Sequence, residues 1–121
     1  MTGTLYIVGT PIGNLNDLTF RATQILSSVT VVAAEDTRRT RQLLTHLNTR
    51  ARLISYNDHS SLKKTSQLVE ILKTTNVALV TDAGMPAVSD PGAMLVRQAF
   101  EAGIAVVPIP GPSAVTTALS V

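Results

Sequence analysis

At 121 residues, 45% hydrophobic, 15% charged and with a net charge of +2, the chain fits one domain with a real core and has no room for a second. The absence of Cys excludes a disulfide framework, a thiolate nucleophile and a Cys-based zinc site, so no metal centre is expected. No apolar run approaches the length that spans a bilayer. The net charge conceals an asymmetry: Arg38 to Lys64 holds seven basic residues against Asp58 alone, a local balance of +6, and the remainder comes to −4. Such a field can draw in a phosphate backbone, and a solvated helix face explains the same clustering.

Thr4 to Val8 is an apolar first strand, preceded by no basic leader or small-residue cleavage site, so a cytoplasmic location is the default. Gly9-Thr10-Pro11-Ile12-Gly13-Asn14 follows as a turn-forming loop whose glycines are spaced G-x-x-x-G, not as in a dinucleotide fingerprint. Asn16 or Asp17 can cap a helix whose apolar stripe is Leu18, Ala22, Ile25 and Leu26. Val29 to Ala34 reads as a second strand. Glu35 and Asp36 stand at its carboxyl end, and Asp36 can cap a helix from Thr37 to Leu47 that buries Leu43, Leu44 and Leu47 and leaves Arg38 and Arg41 on a shared face.

Arg52 to Ser55 is a short third strand, near an edge because charges flank it. Asn57 to Ser61 is a polar loop in which His59 is either a base, a phosphate contact or a residue without chemical role; His46, late in its helix, reads as a C-terminal cation. A helix marked by Leu68, Ile71 and Leu72 leads to Val77-Ala78-Leu79-Val80, apolar on both alternating faces as in a central parallel strand. The eleven residues from Asp82 to Gly92, with two Gly, two Pro and two Asp, form a loop long enough to suggest a site at the carboxyl end of the sheet. A helix from Ala93 to Ala102 then turns Val96, Ala99 and Phe100 inward and stops at Gly103, Ile104 to Val107 is strand five, and Val115 to Val121 is helical. Ser113 reads either as an ordinary N-cap or as a ligand contact. The order β-α repeated five times predicts an α/β fold, a five-stranded parallel doubly wound sheet with helices on both faces.

Leu5 to Leu15, Ala34-Glu35-Asp36-Thr37-Arg38, Thr81-Asp82-Ala83-Gly84-Met85-Pro86 through Asp90-Pro91-Gly92, and Pro108 to Ala114 together resemble the small-subunit ribosomal RNA 2'-O-methyltransferase branch of the tetrapyrrole methylase superfamily. The resemblance runs from end to end and in order. It implies the N-terminal domain of a two-domain enzyme whose C-terminal domain is absent from this chain. It also implies S-adenosylmethionine in the cleft between the domains, and a cytidine ribose in 16S rRNA as substrate. By that pattern Gly84, Met85, Pro86 and Ala87 take the place of a Gly-Asp-Pro cofactor loop, Ser113 and Ala114 a second contact, and Pro11 and Ile12 border the same cleft. Met85 departs from the acid of many tetrapyrrole-modifying members.

Glu35, Asp36 and His59 are the candidates for deprotonating the ribose hydroxyl. Arg38, Arg41, Arg52, Lys63 and Lys64 are the candidates for RNA contact, and the apolar end from Pro110 to Val121 leads to the expectation of self-association as a homodimer. The alternatives are a corrin or porphyrin methylase domain and a non-catalytic binding or dimerisation module.

Overall fold

A computed structural model describes residues 2–57, 62–81 and 92–121. Five parallel strands, β1 (Thr4–Val8), β2 (Val31–Ala34), β3 (Arg52–Ser55), β4 (Val77–Val80) and β5 (Ala105–Ile109), form one sheet in the order β3-β2-β4-β1-β5. The helices α1 (Phe20–Ser28), α2 (Thr37–His46), α3 (Leu62–Leu72) and α4 (Gly92–Glu101) cross between them, and α5 (Ala114–Leu119) follows β5. Alternation along the strands splits the core in two. Leu5, Ile7, Val31, Ala33, Val77 and Leu79 pack with Leu68, Leu72, Leu95 and Ala99 of α3 and α4. Val8, Val32, Ala34, Ala78, Val80 and Ile109 pack with Ala22, Leu26, Leu43 and Leu44 of α1 and α2 on the opposite face. The sheet is therefore doubly wound, as the β-α order predicts. Each fully buried leucine contributes roughly 1.5–3 kcal/mol.

β4 is central and buried throughout, and β3 lies at an edge, both as expected. Several boundaries differ from the sequence reading for identifiable reasons. The cap of α1 is Thr19, whose hydroxyl accepts from the Ala22 N–H; Asn14 to Asp17 instead close a short 3-10 turn, with the Asn14 side chain accepting from the Asn16 N–H. Val29 caps the carboxyl end of α1, so β2 begins only at Val31. The buried stripe of α4 is Gly92, Leu95 and Ala99, which leaves Phe100 78% exposed instead of inward. β5 extends through Pro108 to Ile109, tolerable because β5 is an edge strand and a missing N–H there costs little.

One buried polar contact ties the two halves of the α3/α4 face together. The Tyr56 hydroxyl and Thr65 Oγ1 lie 2.7 Å apart, both residues essentially inaccessible, and Thr65 Oγ1 also faces Met94 Sδ at 3.9 Å. Tyr56→Phe is expected to lower stability by about 1 kcal/mol, read as a shifted urea midpoint at unchanged slope.

Candidate functional site

The winding decides where a ligand can sit. β1 and β4 are neighbours, yet β1 leads to α1 on one face and β4 leads toward α4 on the other, so their carboxyl ends open into a crevice. Two contacts draw the loops together there. The Gly9 N–H donates to the Ile109 carbonyl at 3.2 Å, and the backbones of Gly9 and Gly111 approach so closely that a Cβ on Gly111 would stand 3.1 Å from the Gly9 Cα. On the other side, the Thr10 hydroxyl donates to the Thr81 carbonyl at 3.5 Å. Thr81, directly after β4, and the segments after β1 and β5 thus meet at one edge.

Beside this meeting point is a recess of about 300 Å³ lined by Thr10, Pro11, Leu15, Arg39, Thr40, Gln42, Leu43 and Thr81. Pro11, a candidate cofactor contact, is part of it; Ile12 stands beside it in the same loop, 37% exposed. Arg39, Thr40 and Gln42 were not among the sequence candidates. The signal was present in the helix period: Leu43, Leu44 and Thr40 mark the buried side of α2, and Arg39 and Gln42 border it on the flank nearest Leu43.

The remaining candidates divide. Ser113 caps α5, its hydroxyl accepting from the Thr116 N–H at 3.4 Å, and Ala114 opens that helix exposed to solvent. Glu35 is exposed at the end of β2. Gly84, Met85, Pro86, Ala87 and His59 lie outside the described residues. The basic segment does not form one patch. Arg38 and Arg41 on α2 and Lys63 and Lys64 in the first turn of α3 belong to helices that start at the carboxyl edge, whereas Arg52 opens β3 at the opposite, amino end of the sheet, level with Val31.

Asp36 is committed to its helix. Its carboxylate accepts from the Arg38 N–H at 2.9 Å and meets the Arg38 Nε at 3.6 Å. The Arg38 N–H, chiefly, outweighs an opposing desolvation and, together with the Arg39 N–H and the Arg38 side chain, holds its pKa below the ordinary value. A carboxylate made less basic in this way is a cap before it is a proton acceptor. Because its folded pKa is depressed, the stability it adds is present above the unfolded carboxylate range and fades as pH falls through the lowered folded value. Asp36→Ala should therefore lower stability near neutrality and shrink the loss on acidification, measured by thermal melts from pH 7 to about pH 3.

A family model for tetrapyrrole (corrin/porphyrin) methylases matches residues 4–121. Curated relatives called ribosomal RNA small subunit methyltransferase I include one from Escherichia coli O157:H7, 54% identical over 98% of this chain, and one from Halalkalibacterium halodurans, 51% identical over 97%. The matches cover only 42% and 41% of those relatives, so the chain spans about two fifths of their length. Among solved structures, a conserved hypothetical protein from Aeropyrum pernix K1 is similar with a TM-score of 0.76 at 26% identity, over 96% of this chain and 41% of that one. A uroporphyrin-III-C-methyltransferase from Thermus thermophilus shares the fold, with a TM-score of 0.72 at 24% identity over 94% of this chain and 50% of that one. With a family match from the first strand to the last residue, on a sheet that superposes on solved folds of this kind, the chain belongs to the tetrapyrrole (corrin/porphyrin) methylase family.

Proposed function

We propose that this chain is the N-terminal domain of a two-domain, S-adenosylmethionine-dependent methyltransferase acting on the ribose 2'-hydroxyl of a cytidine in 16S rRNA. The observation that carries the reading is identity above one half to proteins named as small-subunit ribosomal RNA methyltransferases, across nearly the whole chain. The convergence of the segments after β1 and β5 with Thr81 at the carboxyl edge supports a ligand site there.

The described part of that edge fits one wall of a cofactor site: Pro11 and Ile12 offer apolar surface, and Ser113 offers a hydroxyl beside closely packed backbone. Gly84, Met85, Pro86, Ala87 and Ala114 would complete this domain's share. The bound cofactor supplies an electrophilic methyl group on a sulfonium. That methyl group would pass to the ribose oxygen, and the proton of the ribose hydroxyl would pass to a base of this chain. The chain's task is to hold oxygen, carbon and sulfur in line and to accept that proton. Glu35 and His59 stay open for the proton; Asp36 is held by its cap.

Among the described residues no helix is long and apolar enough to cross a membrane. The reading places the protein in the cytoplasm with the small ribosomal subunit. α5 buries none of its residues and exposes Val115 and Leu119, a face for the remainder of the parent chain and for a homodimer. If Arg38 and Arg41 meet phosphates, replacing both by Gln in the full-length protein lowers RNA affinity and reduces the salt slope by about one per arginine, while Arg52→Gln, at the far end of the sheet, leaves both unchanged. Equal effects from all three would show a diffuse field with no docked strand.

The second reading, a tetrapyrrole methylase, is favoured by the family description. Offering the full-length protein small-subunit RNA and a tetrapyrrole with labelled cofactor separates them: label in RNA alone supports the proposal, and label in the macrocycle alone overturns it. No transfer to either would favour a binding module.

A further inference from the structure

We propose that the recess between α2 and the loop after β1 receives a single nucleotide of the RNA strand, with Arg39 on its phosphate and Gln42 on the edge of its base. The inference rests on the RNA reading and adds to it a subsite and a residue that selects the base. The recess measures about 300 Å³, at the small end of the roughly 300–1,000 Å³ usual for ligand pockets, which suits one nucleotide and is cramped for a macrocycle.

Its chemistry is that of a nucleotide site. Leu15 and Leu43 give it apolar surface against which a planar base can lie, and the hydroxyl-bearing Thr10 and Thr81 line the end nearest the sheet. Among the described residues no acid lines it and Arg39 forms no ion pair. Arg39 is permanently charged and sits in the first turn of α2, whose N-terminus the Asp36 carboxylate already caps, so the attraction for a phosphate rests on the guanidinium itself. That fixed positive charge disfavours the sulfonium cofactor, whose reactive sulfur is itself cationic. Gln42, one turn further along, carries both a donor and an acceptor on one amide, the pairing that reads the Watson–Crick edge of an unpaired base. A base drawn out of its stack into this recess would leave its ribose beside the β1/β4 crevice, where the proposed methyl transfer occurs.

The test uses the full-length protein and fluorescein-labelled single-stranded oligoribonucleotides that differ only in one central cytidine or uridine, read by anisotropy across a salt series. Arg39→Gln is expected to weaken binding about tenfold and to lower the salt slope by about one, and Arg39→Lys to restore the slope. Gln42→Leu should erase any difference between the two oligonucleotides while leaving the slope intact. Calorimetric affinity for S-adenosylmethionine should stay within about twofold of the unaltered protein in every variant, as should all readouts for Arg97→Gln on α4. Loss of cofactor affinity with RNA binding intact would assign the recess to the cofactor and overturn the proposal. So would variants that match the unaltered protein in both measurements, a result that leaves the wider RNA reading standing. Failure of the unaltered protein to bind either oligonucleotide, or to methylate small-subunit RNA, would overturn both together.

Discussion

Gly3→Ala is expected to destabilise the domain by roughly 3 kcal/mol or more, a large share of the 5–15 kcal/mol that holds a domain of this size together. A Cβ at this position would stand 2.0 Å from the Thr75 carbonyl oxygen and 2.3 Å from its carbon. Both are backbone atoms, so no rotamer change relieves the overlap. Moving the Thr75 segment is costly because it is tied down on both sides. The Gly3 N–H donates to the Leu72 carbonyl at 2.7 Å, and the Thr4 N–H donates to Asn76 Oδ1 at 2.8 Å. These bonds seat β1 against the end of α3 and the start of β4, its neighbour in the sheet. Urea unfolding followed by circular dichroism gives the loss directly; a change below about 0.5 kcal/mol would mean that the segment yields freely and that these bonds do not fix the strand.

The second large effect concerns the cofactor. This chain alone is expected to bind S-adenosylmethionine at least about tenfold more weakly than the full-length protein, because a pocket between domains buries most of its ligand only when both walls are present. On the proposed reading the described residues would provide one wall, from Pro11 and Ile12 to Ser113. The apolar face of α5, with Leu119 80% exposed, marks the side on which the other wall would pack. Titration calorimetry on both forms decides it: similar micromolar affinity would show a complete site within these residues, and binding only in the longer form would support a shared one.

The architecture was legible because its signals are local and repeated. Val77 to Val80 is apolar on both faces, and only a central parallel strand makes use of that; the β-α alternation then leaves few windings open. The misplacements have a common cause in signals that compete over one or two residues. Asn14, Asn16, Asp17 and Thr19 are all capping types, and only the packing of Ala22 and Leu26 selects Thr19. On α4, Val96, Ala99 and Phe100 have helical spacing, and so do Leu95 and Ala99; contact with α3 and the sheet buries Leu95 and Ala99, packs Val96 partly against the core and leaves Phe100 outside.

The shared edge of the segments after β1, β4 and β5 was also legible, since in a parallel sheet they all leave from the carboxyl ends of the strands. The grouping of charges was not. Arg38, Arg41 and Arg52 form one basic run in sequence, but the strand between α2 and α3 carries Arg52 to the far end of the sheet. Arg39, adjacent to Arg38 along the chain, is the one that the helix turns toward the recess.

The identity of the methylated product decides whether the protein is an RNA ribose methyltransferase. Small ribosomal subunits lacking the modification would be incubated with the full-length protein and cofactor carrying a heavy-isotope methyl group, and their RNA digested to nucleosides for mass spectrometry. The heavy methyl is expected in 2'-O-methylcytidine, and is expected to disappear when Gly84, Met85 and Pro86 are replaced together. Heavy methyl on a base, or none in RNA while a tetrapyrrole is labelled under the same conditions, would contradict the proposed reaction.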